Sequence, residues 1–284
     1  MATASLATAV LAGVAPAARG AEPAADVGAL LAAAGVSPAA SAMLVVRLDD
    51  GREWVSNPER VDERFVPAST SKIPHTLIAL ETGYANGPET LFPWDGEART
   101  FAAWNQDQTL ATAYAHSAVW VYQQVARDLG YQTMADWIER LGYGNADTGT
   151  PADLTRYWLD GPLAISAREQ VDFLSRLARG ELPLRGSTLS VGKSIMRADA
   201  GEGWALYAKT GWGLRNGAPD IGWYVGWAET SETAFVFALN LDMPDEAARA
   251  KRIPAARSVL AALGALPADK VPGGPNDASP QRTE

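Results

Sequence analysis

The spacing of hydrophobic and polar positions changes character along this chain, and the changes outline its elements. Val27 to Ala34 reads as a short helix. Ala42 to Leu48 and Glu53 to Val55 then read as strands joined by the turn Asp49-Asp50-Gly51. From about Lys72 to Leu189 the patterns are helical, predicting helices over Ile73–Leu80 (ending at Gly83), His116–Leu129 and Ala167–Ala178. The last of these follows a Ser166 cap with Glu169 three residues on, a capping-box spacing. Strand signals return at Trp204–Lys209, Gly222–Ala228 and Ala234–Leu241, the last two joined by the polar turn Glu229-Thr230-Ser231-Glu232. An amphipathic helix over Glu246–Leu263 follows.

Strands at both ends with helices between them predict an α+β fold. One antiparallel sheet is built from both ends of the chain, flanked by terminal helices, and a helical lobe is inserted between. In residue terms the sheet lobe takes 22–71 and 190–267 and the helical lobe 72–189, with a cleft between them as the natural site. Residues 1–21 read as a signal peptide: Leu6 to Val14 is apolar and Ala-rich, and small residues suited to cleavage follow at Ala18-Arg19-Gly20. That stretch is too short for a membrane anchor, so the expected location is periplasmic. The Pro-, Gly- and Asp-rich tail 268–284 reads as disordered.

Composition removes several chemistries. The chain has no cysteine, which excludes disulfides, thiol nucleophiles and thiolate metal sites. It has two histidines, His75 and His116, too few for a zinc site of the usual kind, and each reads as a surface or packed side chain. A net charge of −9 without a Lys/Arg cluster argues against nucleic acid or an anionic membrane as partner. Ten tryptophans hint at an apolar pocket.

The segment Pro67-Ala68-Ser69-Thr70-Ser71-Lys72 enters the first helix of the middle section. Alone, Ser69 is a helix cap. Lys72, three residues on, reaches the same face, and a lysine among apolar residues such as Ile73 and Leu77 loses basicity and becomes a base. Two companions follow in order: Ser117-Ala118-Val119, and Lys209-Thr210-Gly211 before Trp212. Serine enzymes that recognise penicillins use three such elements. The second serine relays a proton to the leaving nitrogen, the K-T-G strand presents a cation and a hydroxyl to the substrate carboxylate, and the backbone N–H groups of Ser69 and Trp212 form an oxyanion hole.

With these motifs the chain resembles the class D β-lactamases, the oxacillinase family of the penicillin-binding superfamily. The resemblance runs from about residue 40 to 266 and includes Ile73-Pro74, Tyr143-Gly144-Asn145, the segment Trp158 to Ser166, and Gly222-Trp223-Tyr224-Val225-Gly226-Trp227. It implies the β-lactamase/penicillin-binding-like fold and hydrolysis of a small-molecule β-lactam through a Ser69 acyl-enzyme. It further implies no metal or other cofactor, save carbon dioxide carried as a carbamate on Lys72. Val119, Leu159 and Trp158 would line the lysine pocket, the Trp158 indole holding the carbamate. Lys209, Thr210, Gly211 and Arg252 would bind substrate, with Arg249 and Lys251 close enough to compete for the role given to Arg252. A homodimer is left open.

The chain also departs from the family. The position of Ser71 commonly holds an aromatic, so a wetter lysine pocket and stronger bicarbonate dependence are expected here. Tyr143-Gly144-Asn145 reads equally as a structural turn. The loop Trp212–Ile221, with Arg215, borders the site. Two other functions share these motifs: a β-lactam sensor that stays acylated, and a D,D-peptidase acting on cell-wall peptides.

Overall fold

The computed structural model describes residues 25–270. The expected signal peptide and most of the expected disordered tail lie outside the described residues; the described start of the tail, Ala268–Lys270, is a 3-10 turn. A helix α1 (Val27–Ala33) precedes strands β1 (Ser41–Arg47) and β2 (Glu53–Ser56). The middle of the chain forms α2 (Lys72–Glu81), the short strands β3 (Leu91–Phe92) and β4 (Gln108–Thr109), α3 (Leu110–Ala115), α4 (Val119–Leu129), α5 (Tyr131–Leu141), α6 (Ala167–Arg179) and α7 (Gly186–Met196). Strands β5 (Arg197–Gly201), β6 (Trp204–Gly213), β7 (Asp220–Thr230) and β8 (Ala234–Met243) lead into α8 (Glu246–Ala262).

The main sheet is antiparallel with strand order β2-β1-β8-β7-β6-β5. β1 pairs with β8 from Ser41↔Leu241 to Arg47↔Phe235, so the two ends of the described chain meet in the centre of the sheet, as the distribution of strand signals predicts. Period-2 alternation then sorts side chains to the two faces. Met43, Val45, Tyr224, Phe237 and Leu239 pack against Val27 and Leu31 of α1 and Ile253, Ala256, Val259 and Leu260 of α8. Ala42, Leu44, Trp223, Val225, Trp227, Val236 and Ala238 face the helical side, where α6 crosses β8, β1 and β7. The Ser166–Glu169 capping box that opens α6 is formed as the spacing predicts.

Several elements differ from the sequence reading. The expected helix His116–Leu129 forms but starts three residues late. α3 ends at Ala115, Ser117 takes a left-handed φ of 59°, and α4 begins only at Val119. Strands β6 and β7 outrun their hydrophobic signals because pairing between them carries Thr210, Gly211 and Gly213 along despite the weak strand propensity of glycine; Thr210 pairs with Tyr224 and Gly213 with Ile221. That extension shortens the expected loop Trp212–Ile221 to residues 214–219. α7 and the edge strand β5 were not foreseen. α7, with the sequence GSTLSVGKSIM, has weak helix propensity and is held by packing on α2 and α3. It runs across residue 190, where the sequence reading began the second part of the sheet lobe.

Candidate active site

Ser69 lies on a 3-10 turn, Ala68–Ser71, that runs directly into α2. Residues i and i+3 eclipse one another in a 3-10 turn, which brings Lys72 over Ser69 more directly than an α-helical turn would. Lys72 Nζ donates to Ser69 Oγ at 3.0 Å. Neither the turn nor α2 has a side-chain cap bond, so Ser69 is not spent as a helix cap, the reading it would have in isolation. Its partial exposure leaves the hydroxyl reachable from solvent.

Lys72 is fully buried, with Nζ 5.2 Å from the centre of the Tyr122 ring. Burial first, and the Lys209 cation second, push its pKa well below the usual lysine range. Ser117 Oγ and Trp158 Nε1 are buried without a hydrogen-bond partner. Ser71, expected to wet this pocket, does not: it is fully buried and its hydroxyl donates to Ala68 O at 2.6 Å. That hydroxyl therefore brings no unmet demand for water to the lysine pocket.

The nucleophile turn is braced from three sides. Trp223 Nε1 on β7 donates to Val66 O at 3.0 Å. Beneath it, Thr70 Oγ1 lies 3.0 Å from Tyr143 Oη and accepts from Gln170 Nε2 of α6 at 2.8 Å. On the β6 side, a Cβ on Gly211 would come within 3.0 Å of Pro67 O and 3.1 Å of Thr70 Cγ2, so only glycine lets the strand lie this close. Tyr143-Gly144-Asn145 thus does more than turn. Asn145 Nδ2 donates to Pro162 O and its Oδ1 accepts from Ala164 N, tying the segment that carries Trp158 and Leu159. Gly144 has φ 59°, and a Cβ there would sit 2.3 Å from Ala164 O.

One cleft is lined by Ser69, Ser117, Val119, Leu159, Thr210, Gly211, Trp212 and Arg252, eight of the residues singled out from the sequence. Lys72, Trp158 and Lys209 are buried and do not line it: Lys72 reaches it through its bond to Ser69, and Lys209 lines a neighbouring cleft with Thr210. The sequence reading missed Phe101 and Trp104, which also line the cleft, because their loop has no periodic pattern to place it. Arg249 lines it too, its guanidinium 5.0 Å from the Trp212 ring and paired with Glu246. Lys251 instead reaches away, donating to Gly35 O at 2.9 Å, so of the three basic residues near the start of α8 it is the one outside the cleft.

Arg252 is buried and donates from Nη1 to Gly211 O at 2.6 Å. Burial and the neighbouring Arg249 lower its pKa to about 10. Lys209 sits with Nζ 5.5 Å from the Tyr114 ring centre, and burial together with Arg252 lowers its pKa to about 7. Arg252 keeps its charge at neutral pH and so gives the cleft a cation suited to a carboxylate. His75 is packed, not exposed: its Nε2 meets Tyr157 Oη at 2.6 Å, and burial together with Lys72 lowers its pKa to about 3. His116 is half-buried beside Gln108, with Nδ1 3.2 Å from Oε1.

Known proteins resemble this chain in sequence and in fold. Residues 49–261 match the penicillin binding protein transpeptidase domain. Beta-lactamase OXA-20 of Pseudomonas aeruginosa is 44% identical over 214 residues, covering 75% of this chain and 78% of that protein. The structure of a class D β-lactamase, YbXI from Nostoc, superposes with a TM-score of 0.81 at 38% identity, over 84% of this chain and 99% of that one. The regulatory protein BlaR1 of Bacillus licheniformis is 34% identical over 213 residues, but those cover only 35% of its length.

Proposed function

The chain belongs to the class D serine β-lactamases, and on that premise we propose that it hydrolyses β-lactams through a Ser69 acyl-enzyme with Lys72 carboxylated by carbon dioxide. The observation that carries this reading is Lys72 itself: fully buried, driven toward its neutral form, and 3.0 Å from Ser69 Oγ.

A carbamate requires a neutral amine, because the nitrogen lone pair forms the new bond to carbon and one proton leaves for solvent. It also requires hydrogen-bond donors for the anion that results. Trp158 Nε1 and Ser117 Oγ, buried and unpartnered, meet that demand, and among the described residues no ion pair occupies Lys72. With carbon dioxide bound, the lysine supplies a general base for both acylation and deacylation. Ser69 Oγ gives up its proton as it attacks the lactam carbonyl. The backbone N–H groups of Ser69 and Trp212 hold the developing oxyanion. Ser117 passes a proton to the leaving nitrogen. Lys209, Thr210 and Arg252 bind the substrate carboxylate, while Val119 and Leu159 limit the water around Lys72.

In the same reading the protein is exported to the periplasm by its first 21 residues and works as two lobes about the cleft. Among the described residues no helix is long and apolar enough to cross a membrane. Multiple-turnover hydrolysis of nitrocefin tests the function. Many equivalents converted per enzyme support a hydrolase, whereas a single stoichiometric burst would instead mark a sensor or a D,D-peptidase. Acid decarboxylation followed by assay with and without bicarbonate tests the lysine: activity indifferent to bicarbonate would remove carbon dioxide from the scheme.

A further inference from the structure

His75 stands one helical turn after Lys72 on α2 and is fully buried. Its Nε2 lies 2.6 Å from Tyr157 Oη, and its Nδ1 has no partner. Burial keeps Tyr157 protonated, and among the described residues its hydroxyl has no partner besides His75, so the arrangement that uses the phenol proton has Tyr157 donating and Nε2 accepting. A neutral imidazole that accepts at Nε2 carries its proton on Nδ1. The His75 ring meets the Trp158 ring edge-on, centroids 4.6 Å apart and planes at 89°. Tyr157 also packs edge-on against Trp158, at 4.8 Å.

Two buried N–H groups, His75 Nδ1 and Trp158 Nε1, thus lack acceptors, as does the Ser117 hydroxyl. Buried donors are costly to leave unpaired, and a structural core does not gather them. They gather near one buried amine: His75 follows Lys72 on α2 and packs on Trp158, and Ser117 shares a cleft with Ser69, the partner of Lys72. We infer that the Tyr157–His75 pair is a positioning element for carbon dioxide capture at Lys72: Tyr157 fixes the His75 tautomer, and the two rings clamp the Trp158 indole so that its N–H is held ready for the anion. The inference rests on the carbamate reading of the preceding section.

The test is carbon-13 NMR of the whole enzyme titrated with labelled bicarbonate, Lys72→Ala providing the background. Tyr157→Phe removes one oxygen and keeps the ring; His75→Phe removes both nitrogens. Thermal denaturation of each variant is recorded alongside. The expected result is a carbamate signal that half-saturates at roughly three- to tenfold higher bicarbonate in both variants, the consequence of one lost hydrogen bond. kcat for nitrocefin should recover at saturating bicarbonate, with KM unchanged. Should His75→Phe not fold, Tyr157→Phe carries the test. A folded Tyr157→Phe whose half-saturation equals that of the unaltered enzyme overturns the inference alone. So does a loss of kcat that bicarbonate does not restore. Absence of the signal from the unaltered enzyme overturns the carbamate reading, and the inference with it.

Discussion

Lys72 Nζ donates to Ser69 Oγ across 3.0 Å from a side chain with no solvent exposure. A hydrogen bond of this length between a base and a hydroxyl is within reach of direct proton transfer. Replacing Lys72 by alanine should lower kcat for nitrocefin by ~10²–10⁴-fold, the usual range for a lost general base. Mass spectrometry should then find any acyl-enzyme that forms accumulating unhydrolysed. Turnover within tenfold of the unaltered enzyme would remove Lys72 from both steps.

His75 gives a pH dependence whose sign follows from its surroundings. Its pKa is about 3 in the fold and ~6.5 in an unfolded chain. Between those values the unfolded chain binds a proton that the folded one does not. His75 therefore costs nothing above the unfolded pKa, and stability falls as pH drops from about 6.5 toward 3, by up to ~1.4 kcal/mol per pH unit. Urea denaturation at pH 7 and pH 4.5 should show a smaller difference in His75→Phe than in the unaltered protein.

Tyr143 is the joint between the nucleophile turn and the helical side. Tyr143→Phe deletes the hydroxyl that lies 3.0 Å from Thr70 Oγ1 and 3.2 Å from Gln170 Nε2. Thr70 Oγ1 and Gln170 Nε2 keep each other as partners, so the cost should be that of a lost hydrogen bond, about 0.5–1.5 kcal/mol of stability. Because the turn also carries Ser69, kcat should fall while KM changes little. Calorimetry and steady-state kinetics on one preparation separate the two effects.

Arg252 and Lys251 are neighbours in sequence with opposite placements. Arg252→Ala should raise KM for β-lactams ~10–100-fold through loss of a charge-assisted bond to the carboxylate. Arg252→Lys should recover only part of that, having a single point charge in place of a planar fork. Lys251→Ala, whose cation caps Gly35 O, should leave KM unchanged.

Ser71 provides a check on the dryness of the lysine pocket. Since its hydroxyl is satisfied by Ala68 O, Ser71→Ala should leave the bicarbonate response of kcat unaltered. A marked shift would return water to the pocket and revive the expectation drawn from sequence.

What could be read in advance, and what could not, divides along local and non-local lines. Ser166 and Glu169 form their capping box because both partners lie within one turn. Ser69 and Lys72 meet for the same reason. The break at Ser117 escaped notice because the apolar run from Val119 to Val125 pulls the helical pattern back over it, and only the left-handed φ of 59° shows where α3 stops. Phe101 and Trp104 reach the cleft from a loop with no period at all. Tyr143 carried a recognisable motif, but the bond to Thr70 that gives the motif a task spans 73 residues of chain.

By itself the sequence determined the strand–helix–strand order of the chain, the alternation that sorts each strand between two cores, and the three motifs with their spacing. These are properties of backbone period and short-range contact. The tertiary structure alone decided which side chains are dry, and so which are charged. Lys72, Lys209 and His75 differ from ordinary lysine and histidine because elements distant in the chain close over them and remove water. No linear pattern records that removal.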